Sequence, residues 1–156
     1  THCLNAAEKI RLDKQTVKKI TVFIRTSPFQ IKKNYYANSI DIDLPIRTND
    51  SIILVKQSLI ALKNIYKKGY QYQKSGIIFS GLKDVKIYNK NLFSEVNDEE
   101  KRIKLMKVID NTNIKYGSHA LSIAQAGVKK IWNTKKQHSS KIDTARFHFL
   151  PTVRTL

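Results

Sequence analysis

The chain has 156 residues, 29 Lys and Arg against 12 Asp and Glu, a formal charge of +17 and 41% hydrophobic residues. That is apolar material enough for a core, which excludes wholesale disorder, and the length holds one ordinary domain or two small ones. Cys3 is the single cysteine, which excludes an internal disulfide and argues against a cysteine-built zinc site. No apolar run reaches the ~20 residues that a bilayer span needs. The stretch Thr1–Arg11 mixes charged and apolar residues and is no signal peptide. Cytosolic residence is the default expectation, and a start at Thr1 without Met points to a piece of something longer. Both halves of the chain carry the basic excess, so it is not a tail. Its natural partner is a polyanion, of which nucleic acid is the commonest and a membrane surface the competitor.

In chain order, Leu4–Lys14 reads as a helix with Leu4, Ala7 and Ile10 at helical spacing and no cap before it. Lys18–Thr26 alternates Ile20, Val22 and Ile24 with Thr21, Phe23 and Arg25, a strand with one apolar face. Pro28 then pushes Ser27 toward extended backbone. Asn38–Leu44 is a second alternating strand that Pro45 ends. Thr48-Asn49-Asp50 offers helix caps, followed by a stripe of Ile52, Val55, Leu59, Leu62 and Tyr66 and a stop at Gly69. Tyr70–Ser80 is a third strand. Helix, strand, strand, helix, strand is a ferredoxin-like βαββαβ unit lacking its first strand, an α+β fold with helices on one sheet face. Residues 81–97 read as a tether, Asp98–Asn113 as a helix, Gly117–Ile123 as a short strand and Val128–Trp132 as a short helical or turn segment. Thr134–Leu156 is basic and polar.

Two groups of residues stand out. Phe23, Arg25, Tyr35, Tyr36, Tyr70, Tyr72 and Lys74 combine aromatic and basic character on the predicted sheet. Arg and Lys neutralise phosphates, and Thr26, Ser27 and turn N–H groups can donate to phosphate oxygens. The plainer alternative is that the tyrosines pack at sheet edges. Asp41 and Asp43 fall on the same face and oppose a polyanion there, unless they lie off its path or pair with Arg25 or Lys19. The second group is Leu92-Phe93, bulky and apolar within the polar run Tyr88–Phe93. It either docks into a partner's pocket as a linear peptide or folds back on this chain's core. His2, His119, His138 and His148 have no metal-like spacing. Asp41 and Asp43, the nearest candidates for two-metal phosphoryl transfer, lack a third acid. Gly-rich phosphate loops and nucleophile elbows are absent from the sequence, so the chain reads as non-catalytic.

The runs ITVFIRTSPF (20–29), YYANS (35–39) and GYQYQKSGI (69–77) together resemble the UmuC-type catalytic subunit of DNA polymerase V, an error-prone translesion polymerase of the Y family. Asn91-Leu92-Phe93, residues 105–113, Ala124-Gln125-Ala126-Gly127 and Trp132 continue the resemblance in the same order. It implies that residues 1–82 are most of the DNA-binding little finger, 83–97 a tether with a clamp-binding peptide, and 98–156 a small α/β C-terminal extension of poorly defined role. By the same resemblance, Arg25, Thr26, Ser27, Tyr35, Tyr36, Lys74, Ser75 and Gly76 would meet DNA. Asn89, Lys90, Asn91, Leu92 and Phe93 would match the peptide that binds the β sliding clamp, with departures at Asn89 and Lys90. Where relatives often read Ser-Pro-x-Tyr-Thr-Thr, this chain has SKIDTAR at 140–146. The metal-binding palm acids are not among these residues, so no cofactor is expected in this chain, and Mg²⁺ belongs to the catalytic core elsewhere in such a polymerase. The implied partners are primer-template DNA, the β sliding clamp, a UmuD-type accessory subunit and RecA, with no membrane. The implied place is the bacterial cytoplasm at the nucleoid, in SOS mutagenesis and DNA repair. The alternative is a partner-recruiting module with little DNA binding of its own.

Overall fold

The computed structural model describes residues 1–29, 34–85, 96–117 and 120–127. Its elements are α1 (His2–Leu12), β1 (Gln15–Thr26), β2 (Ala37–Thr48), α2 (Ser51–Ile65), β3 (Tyr72–Ser80), β4 (Lys83–Asp84) and α3 (Val96–Tyr116), then a 3-10 turn at Ala124–Ala126. This is the expected α+β order. β1 runs through the middle of an antiparallel sheet, with β2 on one side and β3 on the other.

The alternation of β1 sets the two faces. Ile20, Val22 and Ile24 are buried, as are Ala7 and Ile10 of α1, Leu44 of β2, and Leu54, Val55, Ala61 and Ile65 of α2. Together they form one core, with Ile77 and Phe79 of β3 packed against it. Ala7 and Ala61, both fully buried, are small enough to let helices approach closely. Cys3 lies in the same core, where burial pushes its thiol pKa up and keeps the sulfur protonated. Along β1, Lys19, Thr21, Phe23 and Arg25 project to the opposite face.

Several boundaries differ from the sequence expectation. β2 does not end at Pro45 but runs on to Thr48. Lys19 pairs with Asp43 and Val17 with Thr48, so Leu44–Arg47 form a bulge. Proline has no ladder donor, and a bulge is where a strand can carry one. In α2 the buried stripe is Leu54, Val55, Ala61 and Ile65, while Leu59 and Tyr66 are exposed. Asp50 caps its start as expected, its Oδ1 accepting from the N–H groups of Ile52 (2.7 Å) and Ile53 (3.4 Å). The helix ends before Gly69: Tyr66 is already extended, and Gly69, at φ +95°, belongs to the turn into β3. That turn delays β3 to Tyr72.

Within the expected tether, β4 pairs Asp84 with Gln15 and Lys83 with Thr16, continuing the line of β3 along β1. No strand forms over 117–123 among the described residues. There the N–H of Leu121 is taken up by the side chain of Asn113 (2.8 Å) instead of a ladder. The segments Val128–Trp132 and Thr134–Leu156 lie outside the described residues.

α3 is longer than expected and is tied to the helical layer. Met106 is buried. Arg11 of α1 grips Asp110 with two bonds of 2.7 Å, and also donates to the Asn49 carbonyl (2.8 Å) and the Ser51 hydroxyl (2.7 Å). Arg102 of α3 donates to Oδ2 of Asp50 (2.6 Å), the same carboxylate that caps α2.

Candidate nucleic-acid interface

The face of the sheet away from α1 and α2 is built of cross-strand rows, and register says which side chains share each row. From one end they are Asp43–Lys19–Ser80, Asp41–Thr21–Ile78, Ser39–Phe23–Gly76 and Ala37–Arg25–Lys74. Ser39, Asp41, Asp43, Lys74 and Ile78 are exposed. The face is therefore open, and its two ends differ in charge.

At one end Lys19 stands between Asp43 (3.8 Å) and Asp41 (4.0 Å). Of the two partners weighed from sequence, Lys19 and not Arg25 meets these acids. At the other end Arg25 and Lys74 lie directly opposite one another, and neither has an ion-pair partner among the described residues. Two unneutralised cations side by side on a strand pair repel each other, and an anion between them relieves that.

The middle row is sterically special. A Cβ on Gly76 would lie 2.3 Å from Cζ of Phe23, so the Phe23 ring covers the backbone of Gly76. The ring fills the space that a side chain at position 76 would take, and both residues border a hollow shared with Ile77 and α1.

The other site residues named from sequence divide by face. Lys74 and Gly76 belong to the open face, whereas Ser75 pairs with Ile24 and points to the other side. Thr26 is buried; its hydroxyl donates to the Tyr36 carbonyl (3.3 Å) and accepts from the Tyr36 N–H (2.9 Å). Ser27 is half-buried, and its Oγ accepts from the Phe29 N–H (3.3 Å). Tyr35 is exposed. The Tyr36 hydroxyl donates to the Ile65 carbonyl at the end of α2 (2.7 Å), and its ring packs on Tyr70 at 4.8 Å and edge-on to Tyr72 at 6.1 Å. Tyr66 joins through Tyr72 at 5.5 Å, and the Lys67 ammonium sits 4.9 Å from the centre of the Tyr36 ring. Tyr36, Tyr70 and Tyr72 thus fasten the end of α2 to the sheet. Asn89, Lys90, Asn91, Leu92 and Phe93 lie outside the described residues.

Sequence reasoning missed a cleft of about 410 Å³ beside the Arg25 end, lined by Thr26, Ser27, Asn34, Lys68, Gly69, Tyr70 and Gln71. Its signal, a second lysine beside Lys67 and a polar turn, resembles any helix terminus. Among the described residues no three His, Cys, Asp or Glu side chains gather as a metal site, and no helix is long and apolar enough to cross a membrane.

The family model for the impB/mucB/samB family C-terminal domain matches residues 1–108. The chain belongs to the impB/mucB/samB family. A model for a domain of unknown function (DUF4113) matches residues 103–153, so the two overlap within α3. Among similar proteins, Protein ImpB of Salmonella typhimurium is 32% identical over 149 residues, 96% of this chain and 35% of its own length. Protein UmuC of Salmonella typhimurium (strain LT2) is 31% identical over 154 residues, 99% of this chain and 36% of its own. Protein MucB of Escherichia coli is 32% identical over 149 residues, 94% of this chain and 34% of its own. The chain spans about a third of the length of these curated relatives. The resemblance to the UmuC type and the match to a C-terminal domain agree with the sequence reading.

Proposed function

We propose that this chain is the duplex-gripping part of an error-prone translesion DNA polymerase working in SOS mutagenesis and DNA repair. The observation that carries the reading is the open sheet face with Arg25 and Lys74 paired across it and no carboxylate facing them among the described residues. Family membership supports the polymerase context, in which nucleotidyl transfer and its Mg²⁺ fall to the region of the relatives outside the match. A polymerase has to move over every sequence, so the useful contact is to phosphate and carries no base information. A row of Phe23 over Gly76 beside two cations suits that work, because it offers charge without base-edge donors.

In this reading the acidic end, Asp41 and Asp43, lies off the duplex path. Primer-template DNA is the principal partner. The β sliding clamp would be engaged by Leu92-Phe93, and a UmuD-type subunit or RecA by residues 98–156, all within the bacterial cytoplasm at the nucleoid. The test is duplex binding across a salt series. Wild type should lose affinity steeply with salt, and Arg25→Gln and Lys74→Gln should each flatten the slope by about one. Binding without a salt slope, or variants that match wild type, would reject the reading in favour of a partner-recruiting module.

A further inference from the structure

We propose that the cleft beside the Arg25 end of the sheet is a seat for one backbone phosphodiester, held by Lys68 and the hydroxyl of Ser27. This rests on the duplex-binding reading above and extends it to residues that the sheet rows do not include. One wall is the end of β1 and the start of the chain into β2, with Thr26, Ser27 and Asn34; the other is the turn from α2 into β3, with Lys68, Gly69, Tyr70 and Gln71.

The chemistry of the lining selects the ligand. Its seven described lining residues include one ammonium, a serine hydroxyl and two amides, and no carboxylate. Lys67 and Lys68 are neighbours with different surroundings. Lys67 sits over the Tyr36 ring, whereas Lys68 is exposed at the cleft with no ion-pair partner among the described residues. Thr26 is not a donor here, because its hydroxyl already donates to the Tyr36 carbonyl. Ser27 is. Its oxygen accepts from the Phe29 N–H, so its own proton remains for an acceptor in the cleft. At Gly69 no atom lies within 4 Å of where a Cβ would stand, so the turn leaves its backbone open. Tyr70 already packs on Tyr36, which disfavours a stacked base and favours an anion.

Position supplies the second argument. Thr26 directly follows Arg25 on β1, and its ladder partner Tyr72 lies two residues before Lys74 on β3. Phosphates recur along one strand every ~3.4 Å of helix axis. The cleft therefore adjoins the Arg25–Lys74 pair past a register shift at the end of β1, where a strand whose phosphates meet that pair would leave the sheet.

The experiment uses the whole chain and a short duplex of arbitrary sequence, with affinity measured over a series of salt concentrations. The variants are Lys68→Gln, Ser27→Ala and, as a charge-matched control, Lys56→Gln, an exposed residue of α2 that does not line the cleft. Lys68→Gln should flatten the salt slope by about one and weaken binding several-fold, while Lys56→Gln should do neither. Ser27→Ala should weaken binding with the slope unchanged, since it removes a neutral donor. If Lys68→Gln behaves as Lys56→Gln while Arg25→Gln and Lys74→Gln still weaken binding, the seat is refuted and the sheet reading survives. If Arg25→Gln and Lys74→Gln are also silent, the sheet reading itself has failed, and the seat with it.

Discussion

The two sides of the sheet use the same residue types for opposite ends. On the helical side Arg11 and Asp110 meet at 2.7 Å with side-chain exposures of 11% and 15%, and Arg102 meets Asp50 at 2.6 Å. On the open side Lys19 reaches its acids only at 3.8 and 4.0 Å, with exposures of 40% to 70%, and Arg25 and Lys74 face no acid among the described residues. Short, fixed geometry and the burial of Arg11, Asp110 and Asp50 make the first set structural, though Arg102 itself is 44% exposed. Removing the partner of a buried member strands its charge away from water. Solvent and length make the second set nearly irrelevant to stability and leave it available to a ligand. Charge on this chain therefore has to be read by where it sits, not by its total.

Arg11→Ala breaks the comparison where it is strongest. It removes four bonds at once and leaves Asp110 half-buried and alone, so unfolding stability should fall by about 2–3 kcal/mol in denaturant titration. Amide exchange in α3 should rise more than in β1. Asp50→Ala comes next, at about 1–2 kcal/mol, since it loses both the α2 cap and the contact with Arg102. On the open side the double variant Arg25→Gln/Lys74→Gln should hold its stability within about 0.5 kcal/mol. Its duplex affinity at moderate salt should nevertheless fall roughly ten-fold. The smallest effect sharpens the contrast. Asp41→Asn/Asp43→Asn should leave stability within about 0.5 kcal/mol and raise duplex affinity a few-fold at low salt, because two negative charges no longer offset the long-range attraction of the face for a polyanion.

Much of the sheet was legible in the sequence because its information is local. The alternation of Ile20, Val22 and Ile24 states which face is buried, and Asp50 before an apolar run states where α2 begins. The pairing of Lys19 with Asp41 and Asp43 could be anticipated once the faces were assigned. Contacts between distant residues were not legible. Arg11 and Asp110 are 99 positions apart, and neither carries a local mark of its partner. The bulge at Pro45 was hidden for a different reason: a proline argues for an end unless the neighbouring strand is known to tolerate extra residues. The site was half legible. Arg25 and Lys74 follow from composition and alternation, but the roles of Tyr36 and Thr26 as internal fasteners depend on where α2 ends, and Gly76 on the ring laid over it.

The most direct test of the open face as the DNA surface is a residue-by-residue map of backbone amide shifts as duplex is added to the intact chain. The largest changes should fall on Phe23–Arg25, Lys74 and Gly76, decline toward Asp41 and Asp43, and spare α1 and α2. Changes concentrated on the helical layer, with Arg25 and Lys74 unmoved, would contradict that assignment.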